Sequence, residues 1–336
     1  MIASGGTMKS YFRYIAITTL LVLLTGCGLY FLLTASQPSQ TLTVSNLTSA
    51  ERSITVKDNN IQIIKTLEPL PDIDIQASSA IVMNADNGDI LFSRNSNASL
   101  PIASMSKMMT ELLVLEAIEA NSINWQDTSM ISDYAYTISN QPGYASVHLT
   151  KEQSYTVREL FNAMAITSAN GATIALAEMV AGSEKEFVAM MNEKANELGL
   201  EDSYFVNTTG LNNTDLGDYY SVGAPTDTNK MSAKDVAILA KQLIKQFPNI
   251  LQIMDEPMLS FRKKFLLGDD FGFRMVRNEG VDGLKTGYTD EAGFCFAGTV
   301  EKDDIRLISV VMGTSTIVDR FSETKRLYET AFDQMQ

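Results

Sequence analysis

The pattern of apolar and polar positions changes character three times along the chain. No charged residue occurs from Tyr14 to Ala50, and Ile15 to Leu33 is almost continuously apolar. That run is close to the ~20 residues a bilayer-crossing helix needs and longer than the ~7–15 of a signal-peptide core. Lys9 and Arg13 precede it, which orients the N-terminus towards the cytoplasm and the rest of the chain outwards. The expectation is a cytoplasmic N-terminus (1–13), a transmembrane anchor or signal segment (14–35) and a Ser/Thr/Gln-rich spacer (36–75). Within the spacer, Ile61-Gln62-Ile63-Ile64 has the composition of a short strand.

Beyond the spacer the period alternates between two and 3.6. "SAIVM" and "ILFS" around Asn87-Gly88 predict a hairpin over Ser79–Ser93. From Ser104 through Glu119, Met105, Met108, Met109, Leu112, Leu113 and Leu115 line a helical face. Helices follow along Val157, Leu160, Phe161, Met164 and Ala165, along Ile174 to Val180, and along Phe187 to Leu198. Ser232 with Asp235 reads as a capping box opening a helix that Pro248 ends. "GFCFAGTV" and "RLISVVMG" then read as paired strands, and "DRFSETKRLYETAF" as a closing amphipathic helix. Strands at both ends of the exported part can share one sheet, with the helical block as a neighbouring lobe and a site in the cleft between them.

Leu24-Thr25-Gly26-Cys27 resembles a bacterial lipobox. Three fates of the N-terminal segment therefore stand together: an uncleaved anchor, a lipoprotein modified at Cys27, and cleavage near Thr34–Ser36. Each exports the remainder.

Composition narrows the chemistry. The 336 residues carry 26 basic and 40 acidic side chains, a formal net charge of −14, which argues against a nucleic-acid partner. One histidine (His148) and two cysteines (Cys27, Cys295) exclude a His/Cys zinc cluster and a disulfide scaffold. A Ser-His-Asp triad is disfavoured, so a hydrolase here needs another base. Lysine is the next candidate to take a serine's proton. Ser104 and Lys107, at i and i+3, share a helix face, with Ser104 at the helix N-terminus. The spacing alone is common, since Ser260 and Ser322 also open Ser-x-x-Lys. Ser168-Ala169-Asn170 falls between two predicted helices, where simple capping competes with function, and Ser93-Arg94-Asn95 and Ser122-Ile123-Asn124 share its pattern. Lys285-Thr286-Gly287 occurs once, at the strand-rich end, where a strand-edge turn is the plain alternative.

In order, S-x-x-K, S-x-N and K-T-G resemble the penicillin-binding and serine β-lactamase superfamily. "PIASMSKMMT", "NTTGL", "MSAKDVAILA", "GVDGLKTGYTDEAGFCF" and "RLISVVMG" resemble the low-molecular-weight penicillin-binding proteins of the D-alanyl-D-alanine carboxypeptidase family. The likeness runs from about Ala77 to about Phe332. It implies an α/β (α+β) fold of β-lactamase/transpeptidase type, an antiparallel sheet flanked by helices with a helical lobe. The catalytic domain would span 76–334, its sheet lobe 76–103 with 265–334 and its helical lobe 104–264.

The resemblance also implies roles. Ser104 would attack the bond between two terminal D-alanines of a peptidoglycan stem peptide, and penicillin would acylate the same serine. Lys107, whose ordinary pKa near 10.4 must be lowered for it to act as base, would take the proton. Ser168 would relay it, and Asn170 would orient Lys107 and the substrate amide. Lys285, Thr286 and Gly287 would hold the substrate end, the N–H groups of Ser104 and Tyr288 would form the oxyanion hole, and Arg320 would meet the terminal carboxylate. No metal or cofactor is implied; the partners would be the stem peptide, β-lactams and the cytoplasmic membrane through the N-terminal segment. The place would be the bacterial cell envelope, with the catalytic domain outside.

Three departures from the family pattern stand out: Gly171 where many relatives have Asp after S-x-N, Tyr288 in place of a histidine, and a chain that stops soon after the expected last helix. His148 lies in no motif and reads as structural; Cys295 reads as a buried small residue. Two other functions share the motifs: a serine β-lactamase, for which no E-x-x-L-N occurs between Asn170 and Lys285, and a non-catalytic wall-binding or β-lactam-sensing protein.

Overall fold

In the computed structural model, the described residues are 67–262, 264–267 and 280–335, with the backbone of three strands before them. The apolar run Ile15–Leu33, Cys27 and the candidate cleavage positions lie outside these residues. The chain divides into two units, 1–68 and 69–336.

In the first unit, β1 (Gln40–Val44), β2 (Arg52–Lys57) and β3 (Asn60–Lys65) form an antiparallel meander. The strand expected around Ile61–Ile64 is β3. The other two lie in a stretch whose Ser/Thr/Gln content reads as spacer, but "TLTV" and "SITV" alternate β-branched residues with others and so also suit strands.

The second unit centres on a five-stranded antiparallel sheet. Its strands are β4 (Ser79–Asn84), β5 (Ile90–Arg94), β12 (Val281–Thr289), β13 (Gly293–Lys302) and β14 (Ile305–Thr314), in the order β12-β13-β14-β4-β5. The predicted hairpin and the predicted strand pair thus join through β14 and β4, with Leu307 opposite Asn84 and Met312 opposite Ser79. All six residues of β4 are buried, as expected of a strand covered on both faces. Ile81, Met83, Ile308, Val310 and Met312 point into the core shared with the helices. Phe296 and Ser309, of opposite parity, meet Phe321 and Tyr328 of the last helix, Ile317–Asp333.

Between β5 and β12 lies the helical block. A two-residue strand, β6 (Leu100–Pro101), leads into a 3-10 turn, Ala103–Ser106, and then α1 (Lys107–Glu119). The sequence predicts one apolar face for this helix. Instead every residue from Lys107 to Leu115 is buried, because α1 runs through the middle of the lobe and other helices surround it. Around it pack α3 (Val157–Thr167), α4 (Asn170–Ala181), α5 (Glu184–Glu197) and α7 (Ala233–Gln246); the remaining helices are α2 (Asp133–Ser139), α6 (Asn213–Leu216), α8 (Ile250–Met254) and the last helix, α9 (Ile317–Asp333).

A full capping box opens α3, where Thr156 and Glu159 exchange bonds; the sequence reading did not single it out. At α7 the predicted box is only half present. Ser232 accepts from the N–H of Asp235, but the Asp235 carboxylate accepts from the Asp202 N–H and Ser203 Oγ, tying down a neighbouring turn. Three ribbons were not foreseen: β6 pairs with β9 (Lys230–Met231), β7 (Thr128–Met130) with β8 (Ser154–Thr156), and β10 (Met258–Phe261) with β11 (Lys264–Leu267). Among the described residues from 265 onward, those up to Leu267 pair in the β10–β11 ribbon and those from Val281 lie in the five-stranded sheet.

Candidate active site

The site forms where the edge strand β12 meets the N-terminal end of α1. Ser104 sits in the 3-10 turn rather than in the α-helix itself, half-buried, while Lys107 at the start of α1 is fully buried. A nucleophile must reach solvent-borne substrate and its base need not; the turn-to-helix junction separates the two in that way.

Lys107 Nζ lies 2.8 Å from Ser104 Oγ, 2.8 Å from Asn170 Oδ1 and 2.7 Å from the Thr209 carbonyl oxygen. Two of these partners can only accept. The third, a hydroxyl, can also donate. The arrangement thus suits a neutral amine with N–H groups directed at Asn170 and Thr209 and its lone pair towards Ser104 Oγ–H. It equally holds an ammonium with three acceptors, so it serves Lys107 on both sides of a proton transfer.

Each contact has its own support. Asn170 opens α4, and its N–H donates to the Ala145 carbonyl, which fixes the helix start against the loop that carries His148. His148 itself is exposed and only its N–H, bonded to Ser146 Oγ, takes part in that loop. The Thr209 carbonyl belongs to the buried segment Asn207–Gly210. There Asn207 Oδ1 accepts from the N–H groups of Thr209 and Gly210, and Glu184 Oε1 accepts from the Thr208 N–H and hydroxyl. Asn229 bonds both this segment and Ser106 Oγ at 2.9 Å, coupling it to the serine turn.

Ser168 caps α3 in a left-handed conformation (φ 58°), and its buried hydroxyl has no hydrogen-bond partner among the described residues. A buried hydroxyl left unpaired is rare in a folded protein. Lys285 and Thr286 are buried on β12, with Lys285 Nζ 3.4 Å from the Thr286 carbonyl. Gly287 follows because nothing larger fits. A Cβ there would lie 2.6 Å from the Ile102 carbonyl oxygen and 3.3 Å from the Met105 nitrogen, so β12 packs directly on the serine turn. Gly171, the departure after S-x-N, has a similar cause: its Cβ would lie 2.5 Å from Ser139 Cβ, leaving no room for an aspartate against α2.

Tyr288 is half-exposed, stacked on Phe294 and bonded through its hydroxyl to Asp290. Arg320, at the start of α9, is buried, with Nη1 3.3 Å from the Gly287 carbonyl and 3.4 Å from that of Cys295. It lies against the K-T-G strand rather than on the surface. Burial pushes the Cys295 thiol up to about 11, so it stays protonated and inert. The competing motifs fall elsewhere: Ser260 is on the β10 ribbon, Ser322 bonds the Asp319 carbonyl on an exposed face, and Asn95 bonds the Ser78 carbonyl.

Two features escaped the sequence reading. Glu111 lies one turn beyond Lys107 on α1, fully buried, with both carboxylate oxygens lacking a hydrogen-bond partner among the described residues. Burial raises its pKa to about 8, opposed by Lys285 and then Lys107. Its i+4 spacing from Lys107 was the available signal. Glu184 was the other, held by Tyr134 and Thr208; no local spacing points to it, since its partners are distant in sequence. Among the described residues no group of acidic, histidine and cysteine side chains forms a metal site.

The family model described as D-alanyl-D-alanine carboxypeptidase (peptidase S11) matches residues 63–316. A relative, the D-alanyl-D-alanine carboxypeptidase DacF of Bacillus subtilis (strain 168), is 37% identical over 266 residues, covering 78% of this chain and 63% of the relative. The chain thus spans a little under two thirds of that protein's length. Among solved structures, a peptidoglycan synthesis regulatory factor (PBP3) from Streptococcus pneumoniae matches with TM-score 0.74 and 39% identity, over 77% of this chain and 74% of that one. Penicillin-binding protein D2 from Listeria monocytogenes, solved in its cefotaxime-bound form, matches with TM-score 0.67 and 32% identity, over 78% and 99%.

Proposed function

The chain belongs to the D-alanyl-D-alanine carboxypeptidase family, and from that premise we propose that it removes the terminal D-alanine from peptidoglycan stem peptides through an acyl-enzyme on Ser104. The observation that carries this reading is the set of three contacts at Lys107 Nζ, which offers Ser104 a sheltered base.

In this mechanism Ser104 Oγ adds to the carbonyl of the penultimate residue while its proton passes to Lys107 Nζ. A positioned base of this kind contributes on the order of 10²–10⁴ in rate. The N–H groups of Ser104 and Tyr288 receive the oxyanion. The tetrahedral adduct collapses, the C–N bond breaks, and the unpaired hydroxyl of Ser168 relays a proton from Lys107 to the leaving amine. Water then attacks the ester, with Lys107 again as base, and releases the shortened peptide. Lys285 and Thr286 hold the substrate, Asn170 orients its amide, and Arg320 offers the terminal carboxylate its charge beside Gly287.

A β-lactam would enter by the same acylation and would leave slowly, since the sequence carries no E-x-x-L-N between Asn170 and Lys285, the pattern with which class A β-lactamases activate their deacylating water. The cefotaxime-bound relative supports this over the β-lactamase alternative. The same reading places the catalytic unit outside the cytoplasmic membrane, tethered by residues 14–35 and acting on the cell wall. Its basis is the apolar run after Lys9 and Arg13. Mass spectrometry of the mature N-terminus tests that part.

The decisive assay is release of D-alanine from a peptide ending in D-Ala-D-Ala. Wild type should release it and Ser104→Ala should not. Equal release by both would remove Ser104 from the mechanism, and release by neither would favour a non-catalytic β-lactam-binding protein.

A further inference from the structure

Glu111 is a fully buried acid on the same helix as Lys107 that the mechanism above does not use. It shares a helix face with Lys107, about 5–6 Å away between Cβ atoms at i, i+4. A carboxyl with neither oxygen hydrogen-bonded cannot remain charged in the interior without nearby cations. Two cations act on it: Lys285 from β12 and Lys107 from its own helix. The helices packed around α1 (α3, α4, α5 and α7) contribute no further charged group acting on it among the described residues. Three titratable groups, two basic and one acidic, therefore share one buried volume next to Ser104.

We propose that Glu111 is a positioning residue that, once ionised, holds back the loss of the Lys107 proton, so that the pH profile for Ser104 acylation reports Glu111 together with Lys107 rather than Lys107 alone. This rests on the reading that Lys107 is the base for Ser104.

The sign follows from the charges. An ionised Glu111 favours the ammonium form of Lys107, which cannot accept the serine proton. A protonated Glu111 removes that attraction, and a like charge on Lys285 would favour the neutral amine. Burial keeps Glu111 protonated through neutral pH, its pKa standing near 8. Above that point its ionisation restrains Lys107 from losing its proton. The base form of Lys107 in wild type therefore never exceeds, at any pH, that in a chain where residue 111 cannot ionise.

The test is the rate of Ser104 labelling by a fluorescent penicillin across the acidic and alkaline sides of neutrality, in wild type, Glu111→Gln and Glu111→Met. Met is included because an apolar side chain of similar length in a buried, unpartnered position is well tolerated. If only one variant folds, it decides. Below about pH 8, where Glu111 is itself uncharged, the three chains should share one profile. Above it the variants should label up to about tenfold faster relative to their own rate near neutrality, the low end of the ~1–3 units that a close opposite charge confers. Profiles of the same shape across the whole range overturn the proposal even if the rate falls uniformly, because a merely structural role lowers the rate without changing the shape. A variant that labels relatively slower above pH 8 overturns it too. Wild type that takes no label at any pH would instead refute the acyl-enzyme reading.

Discussion

Replacing Gly287 by alanine puts the smallest possible wedge between β12 and the turn that carries Ser104. The added Cβ would stand 2.6 Å from the Ile102 carbonyl oxygen, 3.3 Å from Ala103 Cβ and 3.3 Å from the Met105 nitrogen. Those atoms flank Ser104 and are backbone or near-backbone, so no side chain can rotate out of the way. Restoring an ordinary contact of about 3.4 Å to the carbonyl requires roughly 0.8 Å of separation between β12 and the serine turn. Overpacking of this kind costs about 1–3 kcal/mol of stability. The effect on catalysis is larger, because a misplacement near 1 Å costs on the order of 10²-fold in rate, about 2.7 kcal/mol of barrier. The measurement is the second-order rate of penicillin labelling of Ser104, with the melting temperature of the same preparation. The expectation is labelling reduced ~100-fold in protein that remains folded at the assay temperature. Labelling within about twofold of wild type would refute the claim that close approach of β12 sets the geometry of the site.

Three further outcomes follow from individual groups. Glu111 binds a proton more tightly folded, with a pKa of about 8, than at its ordinary 4.5; an acid shifted upwards destabilises the fold progressively as pH rises between those values. The total is at most roughly 4–5 kcal/mol, so Glu111→Gln should gain stability relative to wild type from mildly acidic pH to pH 8; chemical denaturation giving a constant difference across that range contradicts the buried-acid assignment. Asn170→Asp puts a carboxylate against Lys107 Nζ in place of an amide oxygen 2.8 Å away; it should hold the lysine protonated and move the acid side of the acylation profile upwards by ~1–3 units, whereas Asn170→Ala should slow acylation without that displacement. Cys295 should resist maleimide in the native protein and react after denaturation, since burial both shields it and raises its pKa to about 11; a native mass shift on its peptide would count against the sheet register that buries it.

What was legible in the sequence depended on whether a signal was local. The hairpin at Asn87-Gly88, the helices of period 3.6 and the three motifs each occupy a short window, and the structure brings Ser104, Lys107 and Asn170 into direct contact. The approach of Lys285 and Gly287 to the serine turn needed the assumption that sequence-distant strands share a sheet, which the pairing of β14 with β4 bears out. Glu184 could not be read ahead, because its bonds to Tyr134 and Thr208 each span more than twenty positions. Glu111 was hidden for a different reason. An acid four residues past a lysine normally reads as a solvated helix pair, and only the complete burial of α1 makes it a charge held in the interior.

The single histidine of this chain is consistent with the same physics. An imidazole base needs an orienting acceptor on its second nitrogen and can stand partly in water, because its ordinary pKa is already near neutrality. A lysine base starts near 10.4 and must be brought down, which requires burial, nearby positive charge, or both. Burial in turn demands that every N–H left on the amine find an acceptor. Asn170 Oδ1 and the Thr209 carbonyl meet that demand, and the second explains why so much buried polar structure (Asn207, Thr208, Glu184 and Asn229) surrounds one peptide group. In the proposed mechanism Lys285, buried on β12, would be the neighbouring cation. A site built this way would replace one histidine with a buried network drawn from several segments of the chain, and Glu111, its pKa raised to about 8, adds a charge that changes with pH near neutrality.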